Sequence, residues 1–434
     1  MTRRSPAWGR LDGVQPAPRL IVPLDRPPDT SVVIPGSKSH TNRALVCAAL
    51  AEGTSVLRGA LFADDTAAMI GGLGALGVEI TAEPGEARLR VTGCGGRLPN
   101  DSATLDVRQS GTTSRFLLPV LALGPGPYVL DGDPQLRARP FGDLVAAMTG
   151  LGARVQGTRL PLTIERGSPL GGTIRIPGTT SSQFLSGLLL GAPCAGEETI
   201  LEVDGDLVSK PYVDLTLDTM AQFGAEIDRE GYRRFVVAPT GYDAADIAIE
   251  PDASAASYLF AAAMPGGRVR IEGLGTGTVQ GDLRFVDALE AMGAEVIREE
   301  DATEVRGPVR PRGIEIDMAD ISDTAQTLAV VATFAVSPTR ITGIGFIRHK
   351  ETDRLRAVVD ELGRLGIEAI EEPDGLTVHP GRPAPGTVET YDDHRMAMSF
   401  ALLGLRTPGI SIANPGCVAK TFPTFFDVLE TLRT

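Results

Sequence analysis

The residues able to do chemistry fall into a few short clusters. In Pro35-Gly36-Ser37-Lys38-Ser39-His40-Thr41-Asn42-Arg43, two strong cations and several hydroxyls stand where a β-like run (31–34) gives way to an apolar run (44–50). That is the pattern of strand, tight turn and helix start. The first N–H groups of a helix lack intrahelical partners and its dipole favours negative charge there, so Lys38, Ser39 and Arg43 read as an anion site. A second cluster, Arg348-His349-Lys350-Glu351-Thr352-Asp353-Arg354, packs six ionisable groups into one turn region. A solvated charged face is the usual meaning of such a run. An acid flanked by a lysine and an arginine is also what proton transfer beside an anionic ligand requires. Arg137-Ala138-Arg139, Asp393-His394-Arg395 and Ala419-Lys420-Thr421 each set a cation beside a turn or helix start, and a bidentate arginine fits a carboxylate or phosphate.

Composition narrows the choice. The chain has 434 residues with a formal charge of −14. That length exceeds a single core and predicts two domains. The acidic balance argues against nucleic acid or an anionic membrane surface as a partner, so cations that hold an anion must be concentrated locally. Only Lys38, Lys210, Lys350 and Lys420 are lysines among the 41 basic residues, leaving 37 arginines. Lysine offers a compact charge and a shiftable pKa that arginine lacks. Against so strong a bias, Lys38, Lys350 and Lys420 point to positions where arginine will not serve, and Lys210 stays open. Cys47, Cys94, Cys194 and Cys417 are scattered, with no CxxC pair. This fits a reducing cytoplasm and neither a zinc site nor a disulfide scaffold. No apolar run reaches membrane-spanning length. Residues 1–18 read as a disordered tail without the apolar region of a signal peptide.

The elements that must position these residues repeat. Polar clusters leading into apolar runs begin at Ser39, Ser110, Ser181, Asp252, Asp323 and Asp393, spaced by 71, 71, 71, 71 and 70 residues. A second helix type ends on Gly77, Gly152, Gly224, Gly293 and Gly366, each just before an apolar position, as a left-handed C-cap would. Two interleaved series of one period imply six copies of a two-helix unit with short alternating strands between them, an α/β or α+β class. Three plus three copies place a boundary near 249–252. If the copies stack with one polarity, the six polar helix starts converge. Gly72-Leu73-Gly74-Ala75-Leu76-Gly77 matches GxGxxG but follows no strand, and Pro35-Gly36-Ser37-Lys38-Ser39 lacks the P-loop spacing, so neither implies a nucleotide.

In these motifs, taken with Ser181-Ser182-Gln183-Phe184-Leu185 and Val208-Ser209-Lys210-Pro211-Tyr212, the chain from about 20 to 432 resembles the 5-enolpyruvylshikimate-3-phosphate (EPSP) synthase, or 3-phosphoshikimate 1-carboxyvinyltransferase, family. The resemblance implies a two-domain inverse α/β barrel-like fold of six βαβαββ repeats, three per domain. One lobe would comprise 19–35 plus 251–434 and the other 36–250, with the active site in the cleft between them. It implies transfer of the enolpyruvyl group of phosphoenolpyruvate to the 5-hydroxyl of shikimate 3-phosphate by addition and elimination, in a cytoplasmic monomer that needs no cofactor or metal.

The same resemblance assigns Lys38, Ser39, Arg43, Ser181, Ser182, Gln183, Ser209, Tyr212, Asp323 and Lys350 to shikimate 3-phosphate. It assigns Lys38, Gly111, Arg139, Gln183, Arg354, Arg395 and Lys420 to phosphoenolpyruvate. Asp323 would be the base on the 5-hydroxyl and Glu351 the proton donor to the methylene carbon, with Lys38 sharing the catalytic work. Phe346, Ser110 and Phe116 depart from the Asn, Ala and Pro frequent in that family. Gly111 as the small residue implies inhibition by glyphosate. The nearest alternative is the related transferase acting on UDP-N-acetylglucosamine, which carries Ala-Lys-Asn where this chain has Ser37-Lys38-Ser39 and uses a loop cysteine. A non-catalytic anion-binding scaffold is a further alternative, and Asp323 together with Glu351 argues against it.

Overall fold

In the computed structural model the described residues are 17–165 and 170–433. The tail expected over 1–18 falls, up to residue 16, outside them. The chain divides into two compact units. One is Gly36–Glu250; the described part of the other is 17–35 with 251–433. Each has its own apolar core.

Within each unit long apolar helices lie inside and sheets cover them. In the first unit, Gly111–Leu121 is buried throughout, Lys38–Leu50 from His40 onward, and Ser182–Gly191 except for Gln183. The strands instead alternate, as in Arg234–Val237 and Thr199–Asp204, with every second residue turned to the helices. Successive strand side chains point to opposite faces, so one face can pack on helices while the other meets water.

The repeat is clearest in the third copy. Gly172–Pro177 runs parallel to Thr199–Asp204, which pairs antiparallel with Arg234–Val237, and that strand pairs with Ile227–Glu230. Parallel neighbours require a crossover, here the Ser182–Gly191 helix, and the last two strands form a hairpin after the Lys210–Gln222 helix. Five sheets have four strands in this order, and the sixth has three. Among the described residues this βαβαββ repeat is complete in five sheets, and the sixth lacks one strand.

Two strands are exchanged. The β-like run before Lys38 is a strand over Asp29–Val32, but it pairs with Arg268–Glu272 in the second unit's sheet. Its place beside Thr54–Arg58 is taken by Asp246–Ala248. Gly36, at the return into the first unit, sits so close to the Gly59 carbonyl that a Cβ would fall 1.8 Å from its oxygen. The early strand Arg19–Leu20 pairs antiparallel with Ile410–Ile412 and completes the three-stranded sheet of the second unit.

The five expected C-cap glycines all have φ between +77° and +106°, a region open to glycine at little cost. The helix starts shift by small amounts. Side chains of Ser37, Ser110, Ser181, Asp252 and Asp393 accept from backbone N–H groups of their own first turns. The first cap is therefore Ser37, two residues before the position the 71-residue spacing selects, and Ser39 lies inside the helix. The fifth start differs in kind. Asp323 lies in a 3-10 turn, Ser322–Thr324, ahead of the Ala325–Ala332 helix, whose N-cap residue is Thr324. Among the described residues no helix is long and apolar enough to cross a membrane.

Candidate active site

Apart from Lys350, the candidate residues of the second unit, Asp323, Glu351, Arg354, Arg395 and Lys420, form one ion-pair network. Arg354 opens the Arg354–Arg364 helix with its side chain 1% exposed. Its Nε donates to Asp393 at 2.7 Å, Nη1 to Asp323 at 3.1 Å and Nη2 to Glu351 at 2.8 Å. Asp323 also accepts from Arg395 at 2.6 Å, and Glu351 pairs with Lys420 at 2.9 Å. Three carboxylates thus face three cations across turns from two repeats. Asp393 does double duty, because its Oδ1 caps the His394–Gly404 helix through the Arg395 N–H.

Burial decides how these groups behave. Desolvation by itself would lower the Arg354 pKa, but the carboxylates of Asp393, Glu351 and Asp323 outweigh it and hold the guanidinium charged, above its usual range. Arg395 also donates to the Tyr258 hydroxyl at 3.2 Å. Burial pushes that phenol up to about 12, with the Arg395 charge opposing, so it stays neutral. Lys350 follows a separate path: its ammonium lies 5.9 Å from the Phe346 ring centre, near enough for a cation–π contact. The phenylalanine that departs from the family pattern thus faces the neighbouring lysine.

In the first unit the candidates fall into three groups. Arg43 is buried, and its hydrogen-bond partners are neutral: Thr216 at 2.7 Å, the Ser39 carbonyl at 3.0 Å, the Tyr212 carbonyl at 2.9 Å and Ser186 at 3.5 Å. Phe116 covers the guanidinium at 4.9 Å, which accounts for an aromatic residue at that departure. Burial lowers the Arg43 pKa to about 10, with Tyr212 and Cys47 opposing. A buried cation without a carboxylate is costly by itself. An anionic ligand would supply what this one lacks. Ser209, at a left-handed φ of 54°, precedes the Lys210–Gln222 helix and so sets where Tyr212 begins to turn.

The second group surrounds Gly111. A Cβ there would meet Arg139 Nη1 at 2.7 Å and Arg115 Nη1 at 2.8 Å, so two guanidiniums lean on one helix start. Arg115 donates to Gln183 at 2.7 Å, and Gln183 reaches Thr112 at 3.4 Å. Ser181 caps the helix that carries Ser182 and Gln183. Ser110 caps the Gly111–Leu121 helix through Thr113 N–H, a role that the alanine frequent in the family cannot fill. The third group is Lys38 at the start of its helix, 3.4 Å from the buried Asp65 carboxylate.

The sequence by itself marks Asp393 only as a helix start, and marks neither Arg115 nor Asp65 as part of the site. Asp393 carried a signal, since it falls at the repeated helix-start position. Arg115 was legible only as an arginine one turn after Gly111, and nothing local marks Asp65 as the partner of Lys38.

Comparison with known proteins bears on what these groups do. The family model described as EPSP synthase (3-phosphoshikimate 1-carboxyvinyltransferase) matches residues 26–429. A 3-phosphoshikimate 1-carboxyvinyltransferase of Nostoc punctiforme is 48% identical over 409 residues, covering 93% of this chain and 96% of that protein. One from Ralstonia pickettii is 46% identical, covering 91% and 95%. An EPSP synthase structure from Acinetobacter baumannii superposes with a TM-score of 0.81 at 26% identity, over 96% of this chain and 98% of that one.

Proposed function

The chain belongs to the EPSP synthase family, and from that premise we propose how its residues carry the family's reaction. The reaction transfers the enolpyruvyl group of phosphoenolpyruvate to the 5-hydroxyl of shikimate 3-phosphate and releases phosphate. Both substrates are multiply anionic, and the chemistry is addition followed by elimination. It therefore needs a base, an acid and fixed positive charge.

The observation that carries the assignment is the Arg354 network. Asp323 and Glu351, the two groups proposed for proton transfer, are held on one buried guanidinium. An aspartate held between Arg354 and Arg395 is a poor base while both cations stay on it. We infer that phosphoenolpyruvate draws Arg354, Arg395 and Lys420 toward its own carboxylate and phosphate. Asp323 is then free to take the hydroxyl proton, and Glu351, once released by Lys420, can take up a proton from water and deliver it to the methylene carbon. Arg43 with Ser39 and Tyr212 would take shikimate 3-phosphate, and Ser181, Ser182, Ser209 and Lys350 are assigned to the same ligand. Arg139, beside Gly111, would take phosphoenolpyruvate, Gln183 would reach both ligands, and Lys38 stands ready to stabilise the developing charge.

A phosphate-release assay that offers phosphoenolpyruvate with shikimate 3-phosphate or with UDP-N-acetylglucosamine tests the substrate. Release with the shikimate ester alone is expected, and release with the sugar nucleotide alone would overturn the reading.

A further inference from the structure

Five non-glycine residues among those described have positive φ, and two of them are adjacent: Tyr391 at 54° and Asp392 at 55°. Such conformations are sparsely populated for residues with a Cβ and persist where surroundings over-determine them. This pair immediately precedes Asp393, whose carboxylate holds Arg354.

The surroundings that hold the pair are specific. The Tyr391 hydroxyl donates to Glu361 Oε1 at 2.7 Å. Glu361 has a side chain with 0% exposure, and its other oxygen accepts from the Glu389 N–H at 2.9 Å. Arg364 balances its charge at 2.7 Å. Asp392 accepts from Asn414 Nδ2 at 2.5 Å, and the Asp393 N–H donates to the Thr390 carbonyl at 2.8 Å. Glu361 and Arg354 lie on the same helix, seven residues apart, which is about two turns. That helix therefore grips the segment twice, through Arg354 on Asp393 and through Glu361 on Tyr391.

We propose that Glu361 and Tyr391 are positioning residues for the transfer reaction. Their hydrogen bond fixes the left-handed turn, the turn aims the Asp393 carboxylate, and Asp393 orients Arg354 toward Asp323 and Glu351. Neither residue touches a reacting group. The proposal rests on the function given above.

Tyr391→Phe removes the hydroxyl and keeps the ring. The full chain is assayed for phosphate release with each substrate varied, for shikimate 3-phosphate affinity by calorimetry, and for its unfolding midpoint. The kcat/KM for phosphoenolpyruvate is expected to fall about tenfold, a loss typical of slight misplacement. Shikimate 3-phosphate affinity should stay within about twofold, with little change in midpoint. Adding Asp392→Asn, which suits left-handed backbone and keeps an acceptor for Asn414, should restore part of the loss. Glu361→Gln is judged by the same measurements if Tyr391→Phe does not fold. Native kcat/KM in the variant overturns the proposal. So does a loss matched by weakened shikimate 3-phosphate binding and a lowered midpoint, because a merely structural role predicts that pattern. If the unaltered enzyme releases no phosphate, the function fails rather than this inference.

Discussion

Asp393→Asn tests the central ion-pair network most directly. The substitution keeps the shape and one acceptor oxygen, so the helix cap on the Arg395 N–H can survive. It removes the charge that faces Arg354 at 2.7 and 3.3 Å. Arg354 and Asp393 are 1% and 0% exposed, so water cannot replace what is lost. Removing one partner of a buried pair costs about 3–5 kcal/mol. Because Asp323 and Glu351 still hold the other two nitrogens, the low end, about 3 kcal/mol, is expected. For a unit of this size that is a drop of roughly 6–12 °C in the unfolding midpoint. Turnover should fall about a hundredfold, because a guanidinium misplaced by an ångström no longer orients either proton-transfer group.

Glu299→Gln is the control. Glu299 makes the same two-pronged contact to Arg270, at 2.8 and 2.7 Å, but its side chain is 51% exposed. Exposed pairs contribute little because solvent screens them, so this variant should melt with the native protein. Differential scanning calorimetry and the phosphate-release assay read both variants. If Asp393→Asn melts like Glu299→Gln, burial is not what gives this network its strength, and the reasoning fails.

Three further outcomes are expected. Gly111→Ala forces a methyl within 2.8 Å of both Arg115 and Arg139; it should raise the KM for phosphoenolpyruvate about tenfold and leave that for shikimate 3-phosphate near native, and equal effects on both would remove Arg139 from that site. Asp323→Asn should abolish most turnover while shikimate 3-phosphate still binds in calorimetry, and a variant with native kcat would show that the base lies elsewhere. His40 is held neutral: burial first, and Arg43 second, lower its pKa from 6.5 to about 4. Between those values the unfolded chain binds the extra proton, so stability is full above pH 6.5 and declines as pH falls toward 4. His40→Leu should flatten that slope, which is worth about 3 kcal/mol at its full extent; parallel midpoint-against-pH curves for the two proteins would refute it.

Much of the fold was legible because each repeat writes the same local physics. A polar cap, an apolar helix and a terminal glycine recur at nearly constant spacing, and every one of the five glycines takes the left-handed φ that this pattern requires. The caps were legible to within two residues: the spacing selects Ser39, while Ser37 makes the hydrogen bond, since several hydroxyls in that cluster could do so. The three departures from the family pattern could be seen in the chain but not explained from it. Only packing shows Phe116 under Arg43 and Phe346 under Lys350.

By itself, then, the sequence determined the repeat, its helix polarity and the residue types gathered at helix starts, because capping, periodicity and the scarcity of lysine are all read along the chain. Tertiary structure alone decided which sheet each strand joins. Asp29–Val32 is adjacent in sequence to the Lys38 helix, yet it pairs with Arg268–Glu272, and backbone hydrogen bonding carries no local label for its partner. It also decided charge partners. Asp323, Glu351 and Asp393 stand 28 to 70 residues apart in the sequence and meet on one guanidinium. Arg43, by contrast, is left among neutral oxygens. Which cation is balanced and which is bare depends on distances of a few ångströms across repeats, and those exist only once the helices have packed.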